Sequence, residues 1–166
     1  RKSDDSPLTK ADLAAHYVLN RDLDFGGTEP DTATHTFTGY LSSALGSDRP
    51  IVLKGAVIDG PSGNSAGLFE ELQGASVSHV ILYDFLVRHA GGSNFGAGAL
   101  AGWGNDTVSV TDVVLLASRV ENTGNAPFNI GSVIGGNYSG GDLHFESITV
   151  SGVELVQPNG NVGGII

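Results

Sequence analysis

The chain has 166 residues, no cysteine and no methionine, and a formal net charge of −10 from 18 acidic against 8 basic side chains. That length fits one domain with a sizeable core, and a hydrophobic content of 40% permits the core despite 25 glycines and 6 prolines. The missing cysteine excludes disulfides, thiolate metal sites and a cysteine nucleophile, while the acidic balance makes nucleic acid and anionic membrane surfaces poor partners.

No apolar run reaches membrane length, so membrane insertion is not expected. The opening Arg1-Lys2-Ser3-Asp4-Asp5 shows neither initiator nor signal peptide, which predicts a mature product or an excised piece. Few Lys and Arg and no cysteine suit a bacterial protein that is secreted or held at the cell surface.

Residues 1–16 read as a capping segment. Thr9-Lys10-Ala11-Asp12 has an N-cap hydroxyl followed three positions later by an acid, then Leu13-Ala14-Ala15, which predicts a short helix over the open end of the fold. Residues 17–65 read as irregular first coils. Tyr17-Val18-Leu19 and Leu23-Asp24-Phe25 are entry strands, residues 26–34 a loop, and Phe37, Leu41, Val52, Leu53, Val57 and Ile58 contribute apolar positions.

Residues 66–166 carry three regular repeats. The units Gly67-Leu68-Phe69, Gly98-Ala99-Leu100-Ala101-Gly102, Gly131-Ser132-Val133-Ile134-Gly135 and Gly163-Gly164-Ile165-Ile166 recur with a period of about 32 residues. Between them apolar residues come in pairs two apart, each pair starting five positions after the last. The first repeat has Ala75/Val77, Val80/Leu82 and Phe85/Val87; the second has Val108/Val110, Val113/Leu115 and Ser118/Val120; the third has Leu143/Phe145, Ile148/Val150 and Val153/Leu155.

Residues two apart on a strand face the same side, so each pair can enter a common core. A five-residue step reverses the side, so the chain must bend or bulge between pairs. Three short strands joined by bends at a constant period describe the coil of a solenoid. The expectation is therefore an all-β chain, a right-handed parallel β-helix of about four to five coils with a short N-terminal capping helix. Its interior would include Leu68, Val77, Val80, Leu82, Leu100, Val110, Val113, Leu115, Val133, Phe145, Ile148 and Val150. Glycine and asparagine in 91–94, 122–127 and 135–141 would make the corners. The last unit, ending at Ile166, opens a coil whose face needs a cover, which predicts either more chain or end-to-end self-association.

The run Tyr17-Val18-Leu19-Asn20-Arg21-Asp22-Leu23-Asp24, then Phe37-Thr38-Gly39, then Gly67-Leu68-Phe69 with Gly74-Ala75-Ser76-Val77, resembles the GLUG-type β-helical repeats of bacterial surface proteins. These include adhesins and the non-catalytic amino-terminal regions of IgA1-specific metallopeptidases. The sequence departs from that pattern after Gly39, where Tyr40-Leu41-Ser42-Ser43 replaces a glycine-rich strand. The resemblance implies a non-catalytic extracellular scaffold or adhesion module that meets a host glycan or protein.

Chemistry-bearing residues are few. There is no His-Glu-x-x-His helix and no G-x-S-x-G elbow, and none of His16, His35, His79, His89 and His144 pairs at metal-ligand spacing. No catalytic residue, cofactor or metal is expected. Asp84, Asp112, Glu146 and Glu154 fall at outward positions, where carboxylates of neighbouring coils would line a lyase-like or glycosidase-like groove; solvated charge is the commoner arrangement. Asp22 and Asp24 share a strand face that would suit calcium, or a solvated edge. Trp103, Tyr138 and Tyr83 are candidate platforms for a sugar, with Trp103 and Tyr138 the expected glycan contacts. Asn105 and Asn137 open glycosylation sequons.

Overall fold

A computed structural model of the chain describes residues 9–44, 49–60, 64–91, 96–124, 128–137 and 141–166. The chain is all-β, and its strands stack as a parallel solenoid of about 4 turns. One coil runs through Phe69–Gln73, Ser76–Tyr83, Leu86–His89 and Gly96–Ala97. The next repeats it through Ala101–Asn105, Thr107–Leu116, Arg119–Asn122 and Phe128–Gly131. Each strand pairs in parallel with its counterpart one coil away.

The register puts like on like. Leu41, Val77, Val110 and Phe145 form one inward row; Leu53, Leu82, Leu115 and Val150 form a second; Ile58, Val87, Val120 and Leu155 form a third. The apolar pairs of the first two repeats are buried as expected. Leu68, Leu100 and Val133 also stack, since Leu68 N–H donates to Ala99 O and Leu100 N–H to Val133 O. Glycine is required beside them: a Cβ on Gly98 would lie 2.6 Å from the carbonyl oxygens of Ala101 and Val133.

The five-residue step has a specific cause. Between successive inward pairs one residue takes a left-handed conformation: His79 (φ 56°), Asp112 (φ 52°) and Ser147 (φ 56°) at one bend, Asp84 (φ 56°), Ala117 (φ 47°) and Gly152 (φ 63°) at the next. That residue reverses which side its successors face, so two pairs occupy one long strand and still point inward. Only one of these six positions is glycine. Asp tolerates the region through short-range polar contacts, whereas Ala has no such compensation.

Corner polar groups are satisfied inside the coil. His89 is fully buried; its Nδ1 accepts from Gly91 N–H at 2.7 Å, which leaves Nε2–H to donate to Asn64 O. One coil on, Asn122 Oδ1 accepts from Gly124 N–H at 2.9 Å. The two side chains do the same work in adjacent coils.

Three expectations change. The amino-terminal helix is one turn, Lys10–Leu13, closed by Thr9 and Asp12 as read, with Thr9 N–H donating to Asp12 Oδ2 at 2.7 Å; it buries Leu13 and leaves an apolar cleft open beside it. Residues 26–34 are not a simple loop, for Asp31–Thr34 forms a 3-10 turn. Val150 lies in the inward row opposite Leu115 but is 38% exposed, and Phe145 and Ile148 are only partly buried. No described strand stacks on their outer side, so direction is right and burial is not. Parts of the expected corners, at 92–94, 125–127 and 138–140, lie outside the described residues.

Replacing Ala117 with Gly relieves left-handed strain and should raise stability by about 1 kcal/mol in chemical denaturation. His89→Asn should be tolerated because Asn122 shows that an amide can hold this corner, whereas His89→Leu orphans Gly91 N–H and should cost about 1–3 kcal/mol.

Candidate functional site

Outward side chains form ladders as regular as the core. On the sheet of Val57–Gly60, Leu86–His89, Arg119–Asn122 and Glu154–Val156, Arg88 holds Asp59 through Nε at 2.6 Å and Nη2 at 2.8 Å. Arg119 bridges Glu121 at 2.6 Å and Glu154 at 2.5 Å. The hydrogen bond that Arg88 donates to Asp59 raises the Arg88 pKa, and the one that Arg119 donates to Glu121 raises that of Arg119. These exposed pairs add little stability each.

The four carboxylates read as groove candidates do not converge. Asp112 faces His79 across one coil at 3.1 Å, Glu154 is held by Arg119, Glu146 lies 3.8 Å from His144, and Asp84 occupies the other bend. Asp112 and Glu146 sit on adjacent coils, because Glu146 pairs with Thr111, yet Asp112 turns toward His79 instead. That His–Asp pair was hidden in sequence; the signal for it is that the two residues are one period apart.

Asp22 and Asp24 are engaged separately. Asp22 Oδ1 accepts from Val52 N–H at 2.9 Å, while Asp24 accepts from Gly26 N–H at 2.9 Å and pairs with Lys54 at 3.0 Å. The Gly26 hydrogen bond and then Lys54 lower the Asp24 pKa. Lys54 already supplies the cation there. Among the described residues no group of three or more His, Asp or Glu is arranged to hold a metal.

Trp103 is corrected most sharply. It lies in the strand Ala101–Asn105 beside Glu71 and keeps only 8% exposure. Its indole occupies space left by glycines, since a Cβ on Gly136 would lie 2.1 Å from the ring. A buried ring offers no stacking face, and Tyr138 lies outside the described residues. Exposed rings sit elsewhere, on the outer face of the long sheet: Tyr83 at 44% and Tyr40 at 52%, the latter 4.3 Å from the His16 ring. Asn105 caps its own turn, accepting from Asp106 N–H at 2.9 Å.

Two further features were not read from sequence. One is a group of His35, Glu70 and Glu71, brought together because Glu70 N–H donates to His35 O and Thr36 Oγ1 donates to Glu71 at 3.1 Å. Burial, then the charge of Glu71, raises the Glu70 pKa against the opposing pull of His35.

The other feature is the cleft at the amino-terminal end, about 480 Å³. Tyr17, Leu19, Leu23 and Phe25 from the entry segment line it together with Phe37, Leu53, Leu68 and Phe69 of the core and with Glu29 and Asp31. Phe37 stacks on Phe69 at 4.5 Å, and Tyr17 OH donates to Asp12 O at 2.6 Å. The size and apolar lining are those of a ligand site.

A carboxyl pKa raised by folding means that ionised Glu70 opposes the folded state above that pKa, and that the penalty disappears as pH falls through it. Glu70→Gln should therefore raise the neutral-pH denaturation midpoint and remove that part of the gain in stability on mild acidification. No protein-family model matches the chain, and no curated protein or solved structure matches it either.

Proposed function

We propose that this chain is a non-catalytic β-solenoid scaffold, an adhesive or spacer module of a secreted or surface-displayed bacterial protein, as its resemblance to GLUG-type repeats implies. The observation that carries this reading is the use of outward charged groups as coil-to-coil ties. Asp59–Arg88, His79–Asp112 and Arg119–Glu154 each join neighbouring coils, with partners 29 and 35 positions apart in the first and last. Groups arranged for catalysis converge on one substrate; these run along the stack and tie one coil to the next. No described helix is long and apolar enough to cross a membrane.

In an adhesive module the contact face is the outer side of the long sheet, where Tyr40 and Tyr83 stand among Ser76, Ser78, Ser109 and Thr111. Flat aromatic rings beside hydroxyls suit a glycan, through stacking and hydrogen bonds. On an immobilised glycan panel, the chain should retain a subset of glycans, and Tyr83→Ala should reduce that retention with unchanged circular dichroism. Assays with peptide and glycoside substrates should show no turnover. Turnover abolished by Asp112→Asn or Glu146→Gln, and spared by Tyr83→Ala, would replace the scaffold reading with the lyase-like or glycosidase-like one.

A further inference from the structure

One corner of the core is held by an ionisable side chain where the next coil uses an amide. Gly60, His89 and Asn122 occupy the same place in successive coils. Gly60 leaves space for the ring, since a Cβ there would lie 2.9 Å from His89 Cδ2. The imidazole reaches both ways: Nδ1 accepts from Gly91 N–H of its own corner at 2.7 Å, and Nε2–H donates to Asn64 O of the preceding one. A backbone donor aimed at Nδ1 leaves the ring one proton, so the closed corner holds it neutral.

The ring has no exposure. The charged residues on the strands packed around it, Asp59, Arg88 and Glu121, alternate to the outer face, where Arg88 holds Asp59. Gly96–Ala97 carries no charge, and the segments 61–66, 90–95 and 123–127 that follow these strands contain by sequence no Asp, Glu, Lys, Arg or His.

We propose that His89 is an acid-sensitive latch, whose protonation releases Gly91 and opens the corner that it holds between two coils. The imidazolium carries N–H on both nitrogens, so Nδ1–H meets Gly91 N–H donor to donor in a buried site. The opened corner takes up the proton and the closed one does not. Stability from the latch is therefore complete above about pH 6.5, the ordinary range of histidine. It falls as pH falls below that, because the open state then binds more protons. An amide at this place does not titrate, and Asn122 accepts Gly124 N–H at 2.9 Å, so the neighbouring corner stays shut.

The test is native-state hydrogen exchange of the whole chain, followed by NMR from about pH 7.5 to about pH 5 and corrected for the intrinsic pH dependence of exchange. Protection of the Gly91 amide should fall by up to about tenfold per pH unit below about pH 6.5, while Val113 and Leu115 in the long sheet keep theirs. His89→Asn should keep Gly91 protected at neutral pH and remove the fall. Glu70→Gln should leave the fall unchanged. Ring-nitrogen spectra of the unaltered chain need no variant to fold, and at neutral pH they should show Nε2–H beside an unprotonated Nδ1. Gly91 protection independent of pH, an equal fall in His89→Asn, or a ring protonated on Nδ1 at neutral pH would each overturn the latch. An equal loss at Val113 and Leu115 would overturn it too, because it marks unfolding of the whole chain rather than of one corner.

Discussion

Each of the three regular coils keeps its apolar pairs inward because one residue between successive pairs turns left-handed. Without His79, Asp112 and Ser147 at one bend and Asp84, Ala117 and Gly152 at the other, a strand continuing past Val77 or Val110 would send its next apolar pair into solvent. Everything else inherits from that constraint. Because the same bend recurs at the same place in these three coils, they stack in register, and the register makes rows of identical direction in the core and on the surface.

Registered stacking decides what polar residues can do. Side chains at equivalent positions lie one coil apart, so opposite charges there meet and like charges are forced together. Asp59 with Arg88 and Glu154 with Arg119 show the first outcome. His89 and Asn122 show a further use, in which stacked polar side chains inside the core each satisfy the backbone of their own corner. A surface of this kind leaves aromatic residues such as Tyr83 standing on a flat sheet, the feature on which the proposed adhesive role rests.

The same geometry explains why the ends differ from the middle. An interior coil has each face covered by a neighbour, and residues such as Val113 and Leu115 have no exposure. The first and last described coils have one described neighbour each, so Val150 and the cleft residues Leu19, Leu23 and Phe25 keep apolar surface open even though they point the right way. The short Lys10–Leu13 turn lies at one such end and is too small to cover it.

By itself the sequence determined the solenoid, its period and the inward rows. Direction is a local property: residues two apart share a side, and a five-residue recurrence at Ala75/Val77, Val80/Leu82 and Phe85/Val87 can be counted without coordinates. The capping turn was legible for the same reason, since Thr9 and Asp12 interact within one turn. Only the tertiary structure decided burial and partnership, because those depend on the neighbouring coil. Trp103 follows a glycine in sequence and looks like a corner residue, yet Gly96 seven residues earlier and Gly136 one period later, packed against its ring, leave the room that buries it. Val150 matches Leu115 in every local respect and differs solely in having no described coil above it. His79 meets Asp112 because the coil rise brings a full period of chain back to within hydrogen-bonding distance, a closeness that no short window of sequence contains.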